Sequence, residues 1–236
     1  MVLRPQDVVV LLRLSLGADS VPTYAALAEE LKLTASEIHA GVDRAVAAGL
    51  ARKDESGKPV VVLEALRLFV QHGVRYSFPA THGPMGRGMP TAHAAAPLNK
   101  LMVQSTEPLP VWPHKDGTIR GVAFYPLYPT VPDAAKNNPA LYELLALVDA
   151  VRGGSMRERA LAIAEFIDLA AEKARLNKEI ASFAGDIERT AKKLDNPDFI
   201  ARAREDVVQE NRDRLIESQA AKAKLEAALV RLSAIG

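Results

Sequence analysis

Side chains that could do catalytic chemistry are few, and their spacing matches no known catalytic or metal site. The histidines at positions 82, 93 and 114 are not spaced like metal ligands on a helix or hairpin. The glycine-rich stretch 83–88 lacks the Lys-Ser/Thr pair of a phosphate-binding loop. Its Arg87 is open to two interpretations, an anion contact or hydrogen bonds to nearby carbonyls. No serine lies in a nucleophile elbow, so we expect no enzymatic activity, no metal and no cofactor.

Two long amphipathic helices are predicted at the C-terminal end. Apolar residues three, four or seven positions apart form two stripes, as in a coiled coil. The stripes are Phe166, Leu169, Leu176, Ile180, Phe183, Ile187 and Leu194, then Val208, Leu215, Leu225, Leu229 and Leu232. Between them, Asn196 can cap a new helix and Pro197 suits its first position. Residues 164–236 therefore predict an antiparallel helical hairpin.

The sequence of this hairpin resembles the C-terminal arm of bacterial valyl-tRNA synthetases, from about Ala164 to Ser233. The resemblance rests on the stretches Ile167–Arg175, Asn196–Ala203, Val207-Val208 and Glu210-Asn-Arg212. In that family the arm is a coiled coil that leans on the outer corner of the tRNA. Arg204 departs from the family, which usually has a proline there to open the long second helix. The short helix after Pro197 could therefore run on into the next.

The resemblance implies tRNA as a partner. Basic and acidic residues alternate along the arm, so an ordinary helix surface laced with i,i+4 ion pairs is the other interpretation. The candidate tRNA contacts are Arg175, Lys178, Arg189, Lys192, Lys193, Arg202, Arg204, Arg212 and Arg214. The histidine-containing signature and the lysine-serine-lysine loop of a synthetase are both missing, so we expect an arm that contacts tRNA without charging it.

The first 63 residues predict a helix-turn-helix followed by a basic hairpin. Helices are expected over residues 5–16, 24–31 and from Thr34 to Gly49, where Thr34 and Glu37 form a capping box. A polar turn then leads into a β-branched strand at 59–62. The pattern resembles winged-helix regulators of the multiple-antibiotic-resistance type over residues 3–63.

This resemblance implies that the third helix enters the major groove of duplex DNA. Candidate DNA contacts on that helix are Ser36, His39 and Arg44, and those on the hairpin are Arg52, Lys53 and Lys58. Winged helices also serve as protein-binding modules. Asp43 and Glu37 offset the charge of Arg44, so that alternative stays open.

The middle of the chain predicts little regular structure. A helix is expected over 63–71 and a strand over 74–78. Prolines and glycines recur from Pro79 to Pro132, where we expect an ordered, loop-rich layer with short strands at 101–103 and 118–125 and a hairpin turn at Asp116-Gly117. Helices follow, one capped by Asn138 that runs to Val151, and one opened by a capping box at Ser155 and Glu158 that continues into the arm.

Composition sets the class of protein. The net charge is only +1, so nucleic-acid binding would depend on local patches, and the absence of cysteine fits a reducing cytoplasm. The apolar run at residues 8–12 is too short to span a bilayer. We expect a mainly α fold with a small β component, divided into a winged helix (1–78), a loop-rich extension (79–163) and the arm (164–236).

The first hypothesis is a cytoplasmic, non-catalytic DNA-binding protein fused to a tRNA-binding arm. Its partners would be duplex DNA, tRNA or both, without a membrane. The alternatives are an accessory tRNA-binding protein, or a structural fusion in which the coiled coil mediates self-association as a homodimer.

Overall fold

The N-terminal helices form where their caps predict them. They are α1 (Pro5–Ser15), α2 (Tyr24–Leu31) and α3 (Ala35–Ala47). The Thr23 hydroxyl accepts the Ala26 N–H at 3.2 Å, and both hydrogen bonds of the Thr34–Glu37 capping box are present. These contacts satisfy amides that have no partner within their own helix. The computed structural model describes residues 2–17, 22–102, 108–196 and 204–234, which are mainly helical with two small sheets.

A short antiparallel hairpin follows α3. Its strands are β1 (Ala51–Lys53) and β2 (Pro59–Val61), with Arg52 opposite Val60. The carboxylate of Asp54 closes the turn between them, because it accepts the backbone N–H groups of Ser56 and Lys58 at 2.9 Å each. The predicted strand at 59–62 is confirmed to within a residue.

The strand predicted at 74–78 is wrong. The helix α4 (Leu63–Leu68) passes through a π-helical turn (Phe69–Gly73) into α5 (Val74–Ser77). Leu66, Val70 and Val74 lie four residues apart and are all buried. This spacing places them on one helical face, and it outweighs the short alternation that indicated a strand.

The segment predicted to be loop-rich contains a closed three-stranded barrel. Its strands are β3 (His82–Pro90), β4 (Pro110–Pro113) and β5 (Ile119–Phe124). β3 is antiparallel to both neighbours, so β4 and β5 run parallel to each other. The turn at 116–117 is present, with the Gly117 N–H bonded to the His114 carbonyl at 3.0 Å. The prediction that it joins a hairpin is wrong, because the strands on either side are parallel.

Two further details of this segment differ from the prediction. The strand predicted at 118–125 is confirmed as β5. The one predicted at 101–103 is wrong at Leu101, which ends the short helix α6 (Leu98–Leu101) with the buried Leu98. Residue 103 lies outside the described residues.

Glycines allow the barrel to close. A Cβ added to Gly88 would lie 2.1 Å from the carbonyl oxygen of Trp112, and one added to Gly121 would lie 2.0 Å from that of Leu109. No larger residue fits at these positions, because real Cβ contacts are never so short. Glycines that usually weaken a strand therefore mark places where two backbones approach closely.

Two helices follow the barrel and pack against the barrel segment. They are α7 (Val131–Lys136) and α8 (Pro139–Gly153), and Asn138 caps α8 as predicted, with its Oδ1 accepting the Leu141 N–H at 3.0 Å. The buried Asp149 of α8 accepts hydrogen bonds from Thr91 and Trp112 of the barrel segment, at 2.9 and 2.5 Å. This polar group ties the barrel segment to the helix.

The chain divides into two compact units, Met1–Ala171 and Glu172–Ile235. In the first unit, one hydrophobic core takes in residues from both predicted domains 1–78 and 79–163, from Val8 to Phe166. The three-part division stays a prediction. Among the described residues, no helix is long and apolar enough to cross a membrane.

The second unit contains the C-terminal part of α9 (Met156–Leu194) and α10 (Glu205–Ala234). The bonds between Ser155 and Glu158 open α9 as predicted, and the helix continues into the arm. Predicted stripe positions in this unit are buried or half-buried, namely Leu176, Ile180, Phe183, Ile187, Leu194, Val208, Leu215 and Leu225. The side chains of Leu169, Leu229 and Leu232, and the turn at 197–203, lie outside the described residues.

Candidate nucleic-acid interface

A groove in the second unit gathers several of the predicted tRNA contacts. It has a volume of about 370 Å³ and lies between the end of α9 and the first half of α10. The residues that line it are Asp186, Arg189, Thr190, Lys192, Lys193, Asn211 and Arg214. Four of these seven side chains are cations and one is an acid, so this basic groove carries a positive charge suited to phosphate.

Two of the four cations have partners on their own helix. Arg189 pairs with Asp186 at 2.5 Å, and Lys192 pairs with Glu188 at 2.7 Å. The hydrogen bond to Glu188 raises the pKa of Lys192 and lowers that of the carboxyl group. Such exposed pairs exchange readily with water and are worth little, so both cations stay available to a stronger anion.

Lys193 and Arg214 differ from these two. Both are exposed, and neither forms an ion pair with any residue that the structure describes. They come from different helices, Lys193 from α9 and Arg214 from α10, and they line the same groove. A phosphate group between them would meet two cations without breaking an existing pair.

Three other predicted tRNA contacts that the structure describes do not line the groove. Arg175 pairs with Glu179 at 2.7 Å, and Arg204 pairs with Asp206 at 2.7 Å. Arg212 is exposed on α10. The side chain of Lys178 and the whole of Arg202 lie outside the described residues.

A second, larger groove of about 640 Å³ on α10 has the opposite charge. Arg214 is the one cation among its lining residues, which are Asp206, Gln209, Glu210, Asp213, Arg214 and Glu217. Four carboxylates would repel a phosphate backbone, so this acidic groove is unsuited to nucleic acid, whereas Arg214 also lines the basic groove.

The predicted DNA contacts of α3 divide into two groups. Ser36 and His39 are exposed, and His39 lies 3.2 Å from Asp43. The guanidinium of Arg44 instead makes two hydrogen bonds of 2.7 Å to the buried carboxylate of Asp7 in α1. This contact raises the pKa of Arg44 and fixes α3 against α1. Arg44 therefore has a structural role, and we leave it out of any proposed DNA interface.

The predicted contacts on the hairpin are all exposed. Arg52 and Lys58 form no ion pair within the described ranges, whereas Lys53 binds Asp43 of α3 at 3.0 Å. That hydrogen bond raises the pKa of Lys53 and lowers the pKa of Asp43. Two cations of this surface are thus open to a ligand, and a third is partly neutralised.

Two residues of the basic groove were not predicted from the sequence. Thr190 and Asn211 line the basic groove, although only cations were predicted there. Asn211 lies in the stretch that carries the resemblance, which was a signal that could have identified it. No cluster of three or more potential metal ligands occurs among the described residues.

Comparison with known proteins finds similarity in the segment that holds the basic groove. Residues 168–233 match the family described as the valyl tRNA synthetase tRNA binding arm. The valine–tRNA ligase of Caulobacter vibrioides is 69% identical over 77 residues, which are 33% of this chain and 8% of that enzyme. That of Gluconobacter oxydans is 54% identical over 67 residues, 28% of this chain and 8% of the enzyme.

The similarity covers a small part of each enzyme and about a third of this chain. The ligase of Cereibacter sphaeroides is 46% identical over 90 residues, 38% of this chain and 9% of the enzyme. The chain thus spans less than a tenth of the curated relatives it matches. The similarity supports the predicted arm and covers no catalytic domain. No solved structure matches the chain.

Proposed function

We propose that this protein binds tRNA through the basic groove of its second unit and does not aminoacylate it. The observation that supports the proposal most strongly is that four candidate contacts line one groove within the segment similar to a tRNA binding arm. Arg189, Lys192, Lys193 and Arg214 would hold the phosphates of one stretch of backbone. In this proposal α9 and α10 form an antiparallel coiled-coil hairpin that presents the groove.

Phosphate contacts determine the expected chemistry. Cations that neutralise phosphates release counterions, so the affinity falls steeply with salt. Such contacts position a nucleic acid without reading its bases. Binding by the groove should therefore depend on the shape and charge of tRNA more than on its sequence.

Substituting the two unpaired cations in the full chain tests the proposal. The Lys193→Ala/Arg214→Ala variant should bind unfractionated tRNA at least about ten-fold more weakly at low salt. The slope of log affinity against log salt should fall by about 1.4 to 1.8, because each lost phosphate contact removes 0.7 to 0.9. Filter binding at four salt concentrations gives both quantities.

The matched control removes the same charge elsewhere on α10. Lys222→Ala/Lys224→Ala substitutes a lysine paired with Glu226 and an exposed lysine, neither of which lines the basic groove. This variant should keep nearly the parental slope. Equal losses in the two variants, or none in either, would contradict the proposal.

Duplex DNA binding by the first unit is a second candidate function. The order α1, α2, α3, β1, β2 is the one expected of a winged helix, and in such a fold the exposed Ser36 and His39 of α3 would be the residues that read DNA. Arg52 and Lys58 would hold phosphates from the hairpin. Because the guanidinium of Arg44 is bonded to Asp7, this surface has few cations left for DNA. DNA binding is therefore the second candidate function.

The same filter assay tests this candidate with a random duplex pool. Arg52→Ala/Lys58→Ala should weaken duplex binding and lower its salt slope by nearly two, while tRNA binding stays at the parental level. A duplex affinity that this variant leaves unchanged would refute DNA binding by the hairpin. If the parent binds neither nucleic acid, the remaining role for the helices is self-association.

A further inference from the structure

Thr190 is a polar residue within the apolar stripe of α9. It lies three positions after Ile187 and four positions before Leu194, which is the spacing of a coiled-coil stripe. Thr190 is only 7% exposed, so its side chain is enclosed as an apolar stripe residue would be. The stripe therefore buries a hydroxyl group at a position where its own pattern calls for an apolar side chain.

The Thr190 hydroxyl has no hydrogen-bond partner in the part of the chain that the structure describes. A threonine inside a helix can bond the carbonyl four residues before it, and most buried polar side chains are bonded. A buried hydroxyl without a partner lowers the stability of the fold. Polar stripe residues can set the register of a coiled coil, but such a residue would be expected to bond the facing helix. A ligand that supplies the missing partner explains the hydroxyl better.

Thr190 lines the basic groove, where Asn211 of α10 is the other uncharged side chain. The side-chain amide of Asn211 donates to the Val207 carbonyl at 2.7 Å, so its carbonyl oxygen remains an acceptor. The groove therefore offers a hydroxyl from one helix and an amide oxygen from the other, beside the cations that would hold phosphates. Uncharged hydrogen-bonding groups of this kind suit an uncharged polar part of a ligand.

We propose that Thr190 and Asn211 bond a ribose 2′-hydroxyl and give the basic groove a preference for RNA over DNA. A sugar joins consecutive phosphates of a strand, so cations that hold the phosphates bring a sugar into the same groove. A 2′-hydroxyl both donates and accepts hydrogen bonds, and DNA lacks it. A threonine hydroxyl and an amide oxygen match that group. The inference rests on the proposed binding of tRNA and names the part of the RNA that the groove recognises.

The test compares an unmodified tRNA transcript with the DNA strand of the same sequence, each bound to the full chain at low salt. Thr190→Val replaces the hydroxyl by a methyl group of similar size. It should weaken binding of the transcript about five-fold, the worth of one hydrogen bond, and leave DNA binding unchanged. Asn211→Ala should act in the same way. Both variants should keep the parental salt slope, because an uncharged side chain releases no counterions.

Matched controls separate this contact from a structural role of Thr190. Thr190→Ser keeps the hydroxyl and should keep the parental preference for the transcript. Ser182→Ala removes a hydroxyl from an exposed position of α9 that does not line the groove, and it should change neither affinity. Thr190→Val should leave the urea midpoint of the free protein unchanged or raise it, because the hydroxyl that it removes is buried without a partner in the described residues. Circular dichroism measures that midpoint.

The outcomes also distinguish this inference from the proposal on which it rests. Equal losses for the transcript and the DNA strand in Thr190→Val would place the hydroxyl on a phosphate and overturn the inference. An unchanged affinity for the transcript, or a parent that binds both strands equally, would overturn it too. The basic groove is retained in each case if Lys193→Ala/Arg214→Ala still loses tRNA affinity. If that double variant binds tRNA like the parent, the proposed function itself fails.

Discussion

Two ion-paired arginines are mostly buried in the first unit of this molecule, whereas two ion-paired cations of the second unit are exposed. In the first unit, Arg44 has 11% of its side chain exposed and binds the fully buried Asp7, and Arg152 has 4% exposed and binds Asp149. In the second unit, Arg189 and Lys192 are each 75% exposed, although they too have acidic partners. The sequence alone does not distinguish the buried arginines of the first unit from the exposed cations of the second, because both have acidic partners and differ only in burial.

The difference follows from what each unit can bury. The first unit has a core large enough to enclose an ion pair with hydrogen bonds to both partners, so an arginine there holds helices together. In the hairpin proposed for the second unit, two helices pack along one stripe and cannot enclose their outer faces, so their cations would stay in water. Exposed pairs contribute little stability and leave charge available to a ligand, which is why we assign tRNA binding to the second unit.

The largest effect expected from this comparison is on stability. Arg44→Ala would leave Asp7 buried without its partner, and removing one member of a buried pair costs about 3 to 5 kcal/mol. Arg189→Ala should cost about 0.5 kcal/mol or less, as for other exposed helix pairs. Urea unfolding followed by Trp112 fluorescence for the first variant and by circular dichroism for the second measures both. Similar costs for the two arginines would remove the distinction between the units.

A glycine pair should give effects of opposite sign. Gly88→Ala would drive a Cβ into the Trp112 carbonyl and open the barrel, with a cost of about 1 to 3 kcal/mol as for other overpacked sites. Gly185→Ala lies in α9 with nothing within 4 Å of the added carbon, so it should stabilise the helix by about 0.5 to 1 kcal/mol. Thermal melts of the two full-length variants test both signs. A stabilising effect of Gly88→Ala would contradict the close approach of β3 and β4 at this position.

The smallest expected effect is a pH dependence in the first unit. Hydrogen bonds from the Thr34 backbone and hydroxyl lower the pKa of Glu37. A carboxylate whose pKa is lower in the folded state stabilises the fold above the unfolded value, near 4.3, and that contribution is lost as the pH falls through the folded value. Glu37→Gln should therefore lose less stability than the parent between pH 5 and pH 3, as measured by urea midpoints. Parallel profiles would contradict this role of the capping box.

The local signals of the sequence predicted the helices well. The caps at Thr23, Thr34, Asn138 and Ser155 act through neighbours within three residues, so they can be identified without any tertiary information. The apolar stripes of the arm depend in the same way on spacing along one helix. The four cations of the basic groove were predicted as tRNA contacts from the resemblance. The sequence did not predict that these four would line one groove.

Features that depend on distant residues were not predictable. β3 was missed because it is rich in glycine, and the reason for Gly88 is the backbone of Trp112 in β4, more than 20 positions away. Arg44 was predicted to contact DNA from its position on the third helix, and the sequence of that helix could not reveal its buried partner Asp7, which is 37 residues away. The pairing of Arg87 with Arg120 likewise exists only through the strand register.

Lysine footprinting of the full chain with tRNA tests the central claim most directly. Acetylation of the protein alone and of the saturated complex, followed by mass spectrometry, reports the accessibility of each lysine. We predict that tRNA protects Lys192 and Lys193 in the basic groove and leaves Lys58 on the hairpin reactive. Unchanged reactivity of Lys192 and Lys193 in a sample shown to be bound would contradict the assignment of tRNA binding to the second unit.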